Sequence, residues 1–74
     1  MKITGATDFG NLIRSTRKKA KITQAELAAA SGIGERFVRE IEKGKQTCQL
    51  EKALHVAKLL GIKIEAHPPN LQDE

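Results

Sequence analysis

Residues 23–44 read TQAELAAASGIGERFVREIEKG, and this stretch carries the clearest structural signals of the chain. Thr23 stands three residues before Glu26, the spacing at which two side chains cap the start of a helix for each other. Ala28 offers only a methyl group, which is what a second helix crossing close by requires. Gly32 then breaks the run, so the first half of the stretch predicts one short helix.

The second half of the stretch predicts another helix, over about residues 35–43. Its apolar positions recur at a roughly helical period, and Gly44 closes it in a left-handed conformation. Those positions are Ile33, Val38 and Ile41. Two helices joined by a short glycine-containing turn make a helix-turn-helix.

The order and spacing of these signals resemble the lambda repressor and Cro class of helix-turn-helix proteins, the XRE family. The resemblance rests on T-Q-A-E-L-A, S-G-I and the closing I-E-K-G, and it extends over about residues 8–61. It implies a DNA-binding domain whose second motif helix enters the major groove.

The flanking sequence predicts one further helix on each side. Thr7 is a candidate cap for a helix over residues 8–19, whose apolar-leaning face consists of Phe9, Leu12, Ile13 and Thr16. Thr47 is a candidate cap for a last helix over about residues 49–60, which Gly61 ends. Its core stripe would be Leu50, Ala53, Leu54, Ala57 and Leu60, with Val56 and Leu59 to the side.

After Gly61 the apolar pattern changes to period two, which predicts a short strand over about residues 62–66. A lone strand cannot satisfy its own backbone, so it pairs either with residues 2–4 or with the same strand of a second subunit. Surplus apolar surface on the last helix favours the second subunit. The predicted dimerisation residues are Val56, Leu59, Ile62 and Ile64.

These elements predict an all-α, lambda-repressor-like domain of four to five helices with a C-terminal β-strand paired across a dimer. Residues 1–66 would form this domain, and residues 67–74 a short polar tail. A short repressor-like domain that ends in one strand also resembles the HipB class of antitoxins. That second resemblance implies a HipA-like kinase toxin as a partner.

Composition narrows the classes of partner. The 74 residues carry a net charge of +4, and five basic residues fall within eight positions: Arg14, Arg17, Lys18, Lys19 and Lys21. A small basic domain suits a polyanion. The single cysteine, Cys48, excludes an internal disulfide.

Other classes of protein find little support in the sequence. No apolar run approaches membrane-spanning length, and residues 1–4 lack the apolar stretch of a signal peptide, so we expect a cytoplasmic, nucleoid-associated protein. His55, His67 and Cys48 have no metal-ligand spacing, and no nucleophile has a base near it in sequence. We expect no cofactor, no metal, no membrane contact and no enzymatic activity.

The resemblance also implies which residues contact bases, because the early residues of the second motif helix read base edges in this family. On this sequence they are Gly34, Glu35, Arg36, Phe37, Arg39 and Glu40. Arg36 is the strongest candidate for a base contact, since one guanidinium can donate to guanine O6 and N7 together. Alternatives stay open: Glu40 can pair with Arg36, Glu35 can pair with Arg39, and Phe37 can pack against the last helix.

Phosphate contacts are expected around this helix. Gln24 matches the family glutamine that contacts a backbone phosphate, and the other candidates are Arg14, Arg17, Lys18, Thr23, Lys43 and Lys45. The family also pairs an arginine near the end of the first helix with the glutamate before the closing glycine, here Arg17 and Glu42. The sequence departs from the family at Gly34, where a capping serine or threonine is usual.

The predicted function is sequence-specific binding of double-stranded DNA at an inverted-repeat operator by a homodimeric transcriptional repressor. As a HipB-like antitoxin it would autoregulate a toxin–antitoxin operon. The alternative is a protein-interaction module that mainly inhibits a HipA-like kinase toxin, with DNA binding secondary.

Overall fold

The computed structural model describes residues 1–70, which contain four helices. They are α1 (Ala6–Lys19), α2 (Gln24–Ser31), α3 (Glu35–Glu42) and α4 (Leu50–Leu59). Helix α3 packs against both α1 and α2, and α4 packs against α2. Within these residues no helix has the length and apolar character needed to cross a membrane.

The start of α2 is held by the reciprocal cap that the Thr23 and Glu26 spacing predicts. The Thr23 hydroxyl accepts from the Glu26 backbone N–H at 3.0 Å, and the Glu26 carboxylate accepts from the Thr23 backbone N–H at 2.8 Å. Gly32 ends the helix in the left-handed conformation with φ 71°, and its N–H binds the carbonyl groups of the last turn. The turn between α2 and α3 therefore has the tight geometry of a helix-turn-helix.

Two predicted caps are wrong. Helix α1 begins after Gly5, so Thr7 lies inside its first turn. The reason is Asp8, whose carboxylate accepts from the Thr4 backbone N–H at 2.9 Å and from the Thr4 hydroxyl at 2.6 Å, which starts the helix earlier. Helix α4 begins after Gln49, and Thr47 lies in the turn before it.

The core lies between all four helices. Its buried apolar residues are Ile13, Leu27, Ala28, Val38, Ile41, Ala53, Val56 and Ala57. The predicted stripe of α4 is therefore partly wrong, because Leu50 and Leu54 are 71% and 41% exposed. Helix α4 instead turns Ala53, Val56 and Ala57 inward, where two alanines let its backbone lie close to α2.

The predicted strand is not formed in the described residues. After Gly61 the only backbone hydrogen bond of residues 62–66 runs from the Ile62 N–H to the Ala57 carbonyl at 3.0 Å. Ile3 shares a surface recess with Ile62 and Ile64, but no backbone hydrogen bond joins residues 2–4 to residues 62–66. Pairing within one chain is thus not found, and pairing between subunits stays a prediction. Of the predicted tail, residues 67–70 are exposed and residues 71–74 lie outside the described part.

Candidate nucleic-acid interface

A buried ion pair fixes the end of α1 to the end of α3. Arg17 Nε donates to Glu42 Oε2 at 2.6 Å and Arg17 Nη2 donates to Glu42 Oε1 at 3.0 Å. Arg17 Nη1 also donates to the Ile22 carbonyl at 2.9 Å, in the loop before α2. Only 9% of the Arg17 side chain and 3% of the Glu42 side chain are exposed. One guanidinium therefore sets the relative positions of three parts of the fold.

Glu42 has a second partner, since Gln24 Nε2 donates to its Oε1 at 3.0 Å. Burial by itself would raise the pKa of Glu42, but the hydrogen bonds from Arg17 and Gln24 and the nearby charges of Arg17 and Arg14 lower it below the ordinary value. The hydrogen bond to Glu42 in turn raises the pKa of Arg17. Both groups are charged at neutral pH.

The outer surface of α3 presents the residues predicted to contact bases. Gly34 precedes the helix with an extended backbone and no side-chain cap, and Glu35, Arg36 and Arg39 are exposed. No ion pair joins Glu35 to Arg39 among residues 1–70, so that alternative is not found.

Glu40 takes part in a chain of charges along this surface. Arg36 Nε lies 3.2 Å from Glu40 Oε2, and Lys45 Nζ lies 3.3 Å from Glu40 Oε1. The hydrogen bond from Lys45 lowers the pKa of Glu40 below its ordinary value. Of the two alternatives for Glu40, the structure thus contains the intrahelical pair with Arg36.

Phe37 is turned toward the body of the domain. It is half-buried against the core, and Lys52 Nζ lies 5.8 Å from the centre of its ring. Position 37 lies one helical turn before the buried Ile41, which places the ring on the flank of α3 that meets the core. Packing and a cation–π contact therefore account for Phe37, in agreement with the packing alternative, and its base contact stays a prediction.

Two adjoining recesses collect most of the predicted phosphate contacts. One, of about 480 Å³, is lined by Arg14, Arg17, Gln24, Arg39, Glu42 and Lys43. The other, of about 540 Å³, includes Lys18, Lys21, Thr23 and Gln24. Gln24 borders both. Lys45 lies apart from them, beside Glu40.

Burial bears on two other predicted roles. The Arg17 guanidinium donates to Glu42 and Ile22 and is nearly buried, which accounts for the ion pair, while a phosphate contact by Arg17 stays a prediction. Val56 has no exposed surface, so its predicted role in dimerisation is wrong. Leu59 and Ile64, at 45% and 51% exposure, remain accessible.

Lys21 is a candidate that the sequence singled out only as part of a charge run. It is the one residue other than glycine in the described chain with a positive φ, at 61°. Nothing in the sequence marks a lysine for this conformation, which glycine adopts at lower cost. Its place beside Lys18 and the start of α2 is visible only in the fold.

The comparisons with known proteins assign the family. The family model described as helix-turn-helix matches residues 13–66, which is most of the chain. The chain belongs to the Cro/C1-type helix-turn-helix family. This is a family of DNA-binding transcriptional regulators, as the resemblance predicted.

Two curated relatives carry the same description. The uncharacterized HTH-type transcriptional regulator y4mF of Sinorhizobium fredii is 40% identical over 68 residues, which cover 92% of this chain and 90% of the relative. The uncharacterized HTH-type transcriptional regulator MJ0272 of Methanocaldococcus jannaschii is 36% identical over 55 residues, covering 74% of this chain and 83% of the relative.

Solved structures of HipB have the same fold. A HipB variant in an O2 20mer complex superposes with a TM-score of 0.84 at 24% identity, covering 92% of this chain and 94% of that one. A chain of a HipA–HipB–O2–O3 complex superposes with a TM-score of 0.83 at 22% identity, covering 92% of this chain and 96% of that one. At this identity the likeness establishes the four-helix fold.

Proposed function

We propose that this protein is a transcriptional repressor that binds double-stranded DNA sequence-specifically, as a homodimer at an inverted-repeat operator. We further propose that it autoregulates a toxin–antitoxin operon as a HipB-like antitoxin, and so acts at the nucleoid. The observation that best supports DNA binding is the exposed outer surface of α3, which presents Glu35, Arg36 and Arg39. This surface lies between basic groups at the ends of α1 and α3.

The recognition helix in this proposal is α3. Within residues 1–70, Arg36 is bound through Nε alone, to Glu40, so both Nη groups can donate to guanine O6 and N7. Gly34, Glu35 and Arg39 border the same surface. Phosphate contacts would come from Arg14, Lys18, Thr23, Gln24 and Lys43, with Lys45 further out.

Replacing Arg36 with alanine tests the base-reading role. We expect a loss of about 1–3 kcal/mol in binding to a selected duplex, with relaxed specificity at one base pair. The melting temperature should hardly change, because the side chain is 84% exposed and its pair with Glu40 is on the surface. Lys58→Ala, exposed on α4, is the control. An equal loss on random and selected duplexes would mean that Arg36 contacts phosphate only.

Lys21→Gly separates stability from binding. Glycine removes the cost of the left-handed conformation, which raises stability, but it also adds unfolded-state entropy, which lowers stability by a smaller amount. We therefore expect a net gain of about 0.5–1 kcal/mol in the free energy of unfolding. Losing one phosphate contact should weaken DNA binding and reduce the slope of log K against log salt by about 0.9. Thermal melts and binding isotherms at several salt concentrations measure both. A stabilised variant with unchanged affinity would exclude Lys21 from the interface.

We propose that residues 62–66 form the dimerisation strand, with Leu59, Ile62 and Ile64 facing the second subunit. Ile64→Lys should then convert the protein to a monomer in sedimentation equilibrium, because a charge would be buried at the interface. Leu54→Lys, at a similarly exposed leucine on α4, is the matched control and should leave the dimer intact. A persistent dimer in Ile64→Lys would contradict this arrangement.

The second candidate function is inhibition of a HipA-like kinase, with DNA binding secondary. It is supported by the fold likeness to HipB within the HipA–HipB–O2–O3 complex. The test is to co-purify this protein with a HipA-like kinase encoded by a neighbouring gene and to assay phosphorylation. Kinase activity that is unchanged by a saturating amount of this protein would remove the antitoxin proposal.

A further inference from the structure

The contact between Gln24 and Glu42 has a consequence for DNA binding beyond the stability of the fold. Gln24 is the first residue of α2 and is half-buried at the border of the two basic recesses. Its Nε2 donates to Glu42 Oε1 at 3.0 Å. The side chain thus lies where DNA backbone would approach, and one end of its amide is already held.

Glu42 determines which end of the amide is held. An ionised carboxylate only accepts hydrogen bonds, so it selects the orientation of Gln24 in which the nitrogen faces it. The flipped amide would set two oxygens against each other at the same distance. Glu42 cannot turn away to relieve that contact, because Arg17 donates to both of its oxygens, at 2.6 and 3.0 Å.

The amide nitrogen carries two N–H groups, and Glu42 uses one of them. Among residues 1–70 no other acceptor binds Nε2 of Gln24. The second N–H is therefore left for another acceptor, and Gln24 itself lines the recess that Arg14, Arg39 and Lys43 also line. Those three cations favour an anion at this place.

We infer that Glu42 is a positioning residue for DNA binding: it orients the Gln24 amide so that an N–H group, and not the carbonyl oxygen, faces a phosphate group and donates to it. This inference rests on the proposed DNA-binding function. The buried pair of Arg17 and Glu42 then has two effects, since it holds α1 to α3 and also sets the donor at the start of α2. The donor is thus held in place before the phosphate arrives.

The experiment measures binding of a random-sequence duplex pool, because a phosphate contact acts on every sequence. Gln24→Ala, Glu42→Gln and the double variant are compared by fluorescence anisotropy at a low temperature, where each variant is shown by circular dichroism to be folded. Gln24→Ala should weaken binding about tenfold. Its salt slope should match the unmodified protein, because an amide releases no counterion, whereas Lys43→Ala should lower the slope. Gln49→Ala, at an exposed glutamine before α4, is the matched control.

The double variant distinguishes positioning from a merely structural role. If Glu42 acts through Gln24, Glu42→Gln weakens binding in the presence of Gln24 and has little further effect once Gln24 is alanine. If the affinity losses of the two single variants multiply in the double variant, the inference is overturned, but the proposed DNA-binding function is not. Failure of the unmodified protein to bind the duplex pool would overturn the inference and the proposed function together.

A second measurement needs no substitution at Glu42. The side-chain amide protons of Gln24 can be followed by nuclear magnetic resonance in the unmodified protein. We expect both to shift as Glu42 is protonated in acid, and the one not bound to Glu42 to shift when the duplex pool is added. If the Gln24 amide resonances do not shift when the duplex pool is added, the inference is overturned.

Discussion

Glu42→Ala is expected to lower the free energy of unfolding by about 3–5 kcal/mol, because it leaves the nearly buried Arg17 guanidinium without its carboxylate. This is comparable with the whole stability of a domain of this size, about 4–11 kcal/mol. Thermal and urea unfolding monitored by circular dichroism measure the loss. Glu35→Ala removes an exposed carboxylate from the same helix and is the matched control. Equal melting temperatures for the two variants would contradict the account of the ion pair.

The same residue makes stability depend on pH in a defined direction. The pKa of Glu42 in the folded protein lies below its ordinary value of 4.5. The stabilisation from ionised Glu42 is therefore fully present above pH 4.5 and is lost as the pH falls through the lower folded-state pKa. Asp8 contributes in the same direction, since the Thr4 side chain and backbone hold the pKa of its carboxyl low. The stability difference between the unmodified protein and Glu42→Gln should thus shrink below pH 4.5, and a constant difference would be contrary to the assignment.

Gly10→Ala is the second large effect, expected at about 3 kcal/mol or more. Gly10 is buried where α1 crosses α3, and a methyl group there would overlap the Ile41 carbonyl oxygen and come within 3.0 Å of the Glu42 carbonyl oxygen. Backbone carbonyl groups cannot swing aside, so α1 and α3 must separate and strain the ion pair. Helix propensity alone predicts the opposite, a gain of about 1 kcal/mol for alanine over glycine.

Gly34→Ser is the control for that substitution. A side chain at Gly34 meets no atom within 4 Å, and serine supplies the cap that α3 lacks. We expect unchanged or slightly raised stability in thermal melts. A Gly10→Ala variant as stable as Gly34→Ser would show that the crossing is looser than described.

The motif helices could be predicted from sequence because their signals are local. The cap of Thr23 and Glu26 and the left-handed Gly32 depend only on residues a few positions apart, and both are present. The pair of Arg17 and Glu42 was implied by the family resemblance, although the two residues are 25 positions apart. What was correct thus depended either on short-range chemistry or on a known family pattern.

The wrong predictions concern features that depend on tertiary contacts. Thr7 and Thr47 have the chemistry of caps, but Asp8 starts α1 earlier and α4 begins beyond Thr47. On α4 the sequence offers several apolar faces, and only packing against α2 shows that Val56 is inside while Leu50 is outside. The strand over residues 62–66 needs a partner backbone, which one chain does not supply.

No local sequence pattern marks Gly10 or Lys21 as important either. Gly10 lies inside a helix where its missing side chain matters only because α3 crosses there. Lys21 takes a backbone conformation that its side chain disfavours, and its role depends on the recess it shares with α2. Both become visible only once the helices are placed relative to one another.

Sequence-specific recognition of DNA by a dimer can be tested by selection from random duplex DNA at near-physiological salt. The retained pool is sequenced, and Arg36→Ala is carried through in parallel. We expect an enriched inverted repeat with half-sites about one helical turn apart, and loss of preference at one base pair per half-site with Arg36→Ala. Retention without an enriched motif would show binding governed by phosphate contacts alone and would contradict the claim.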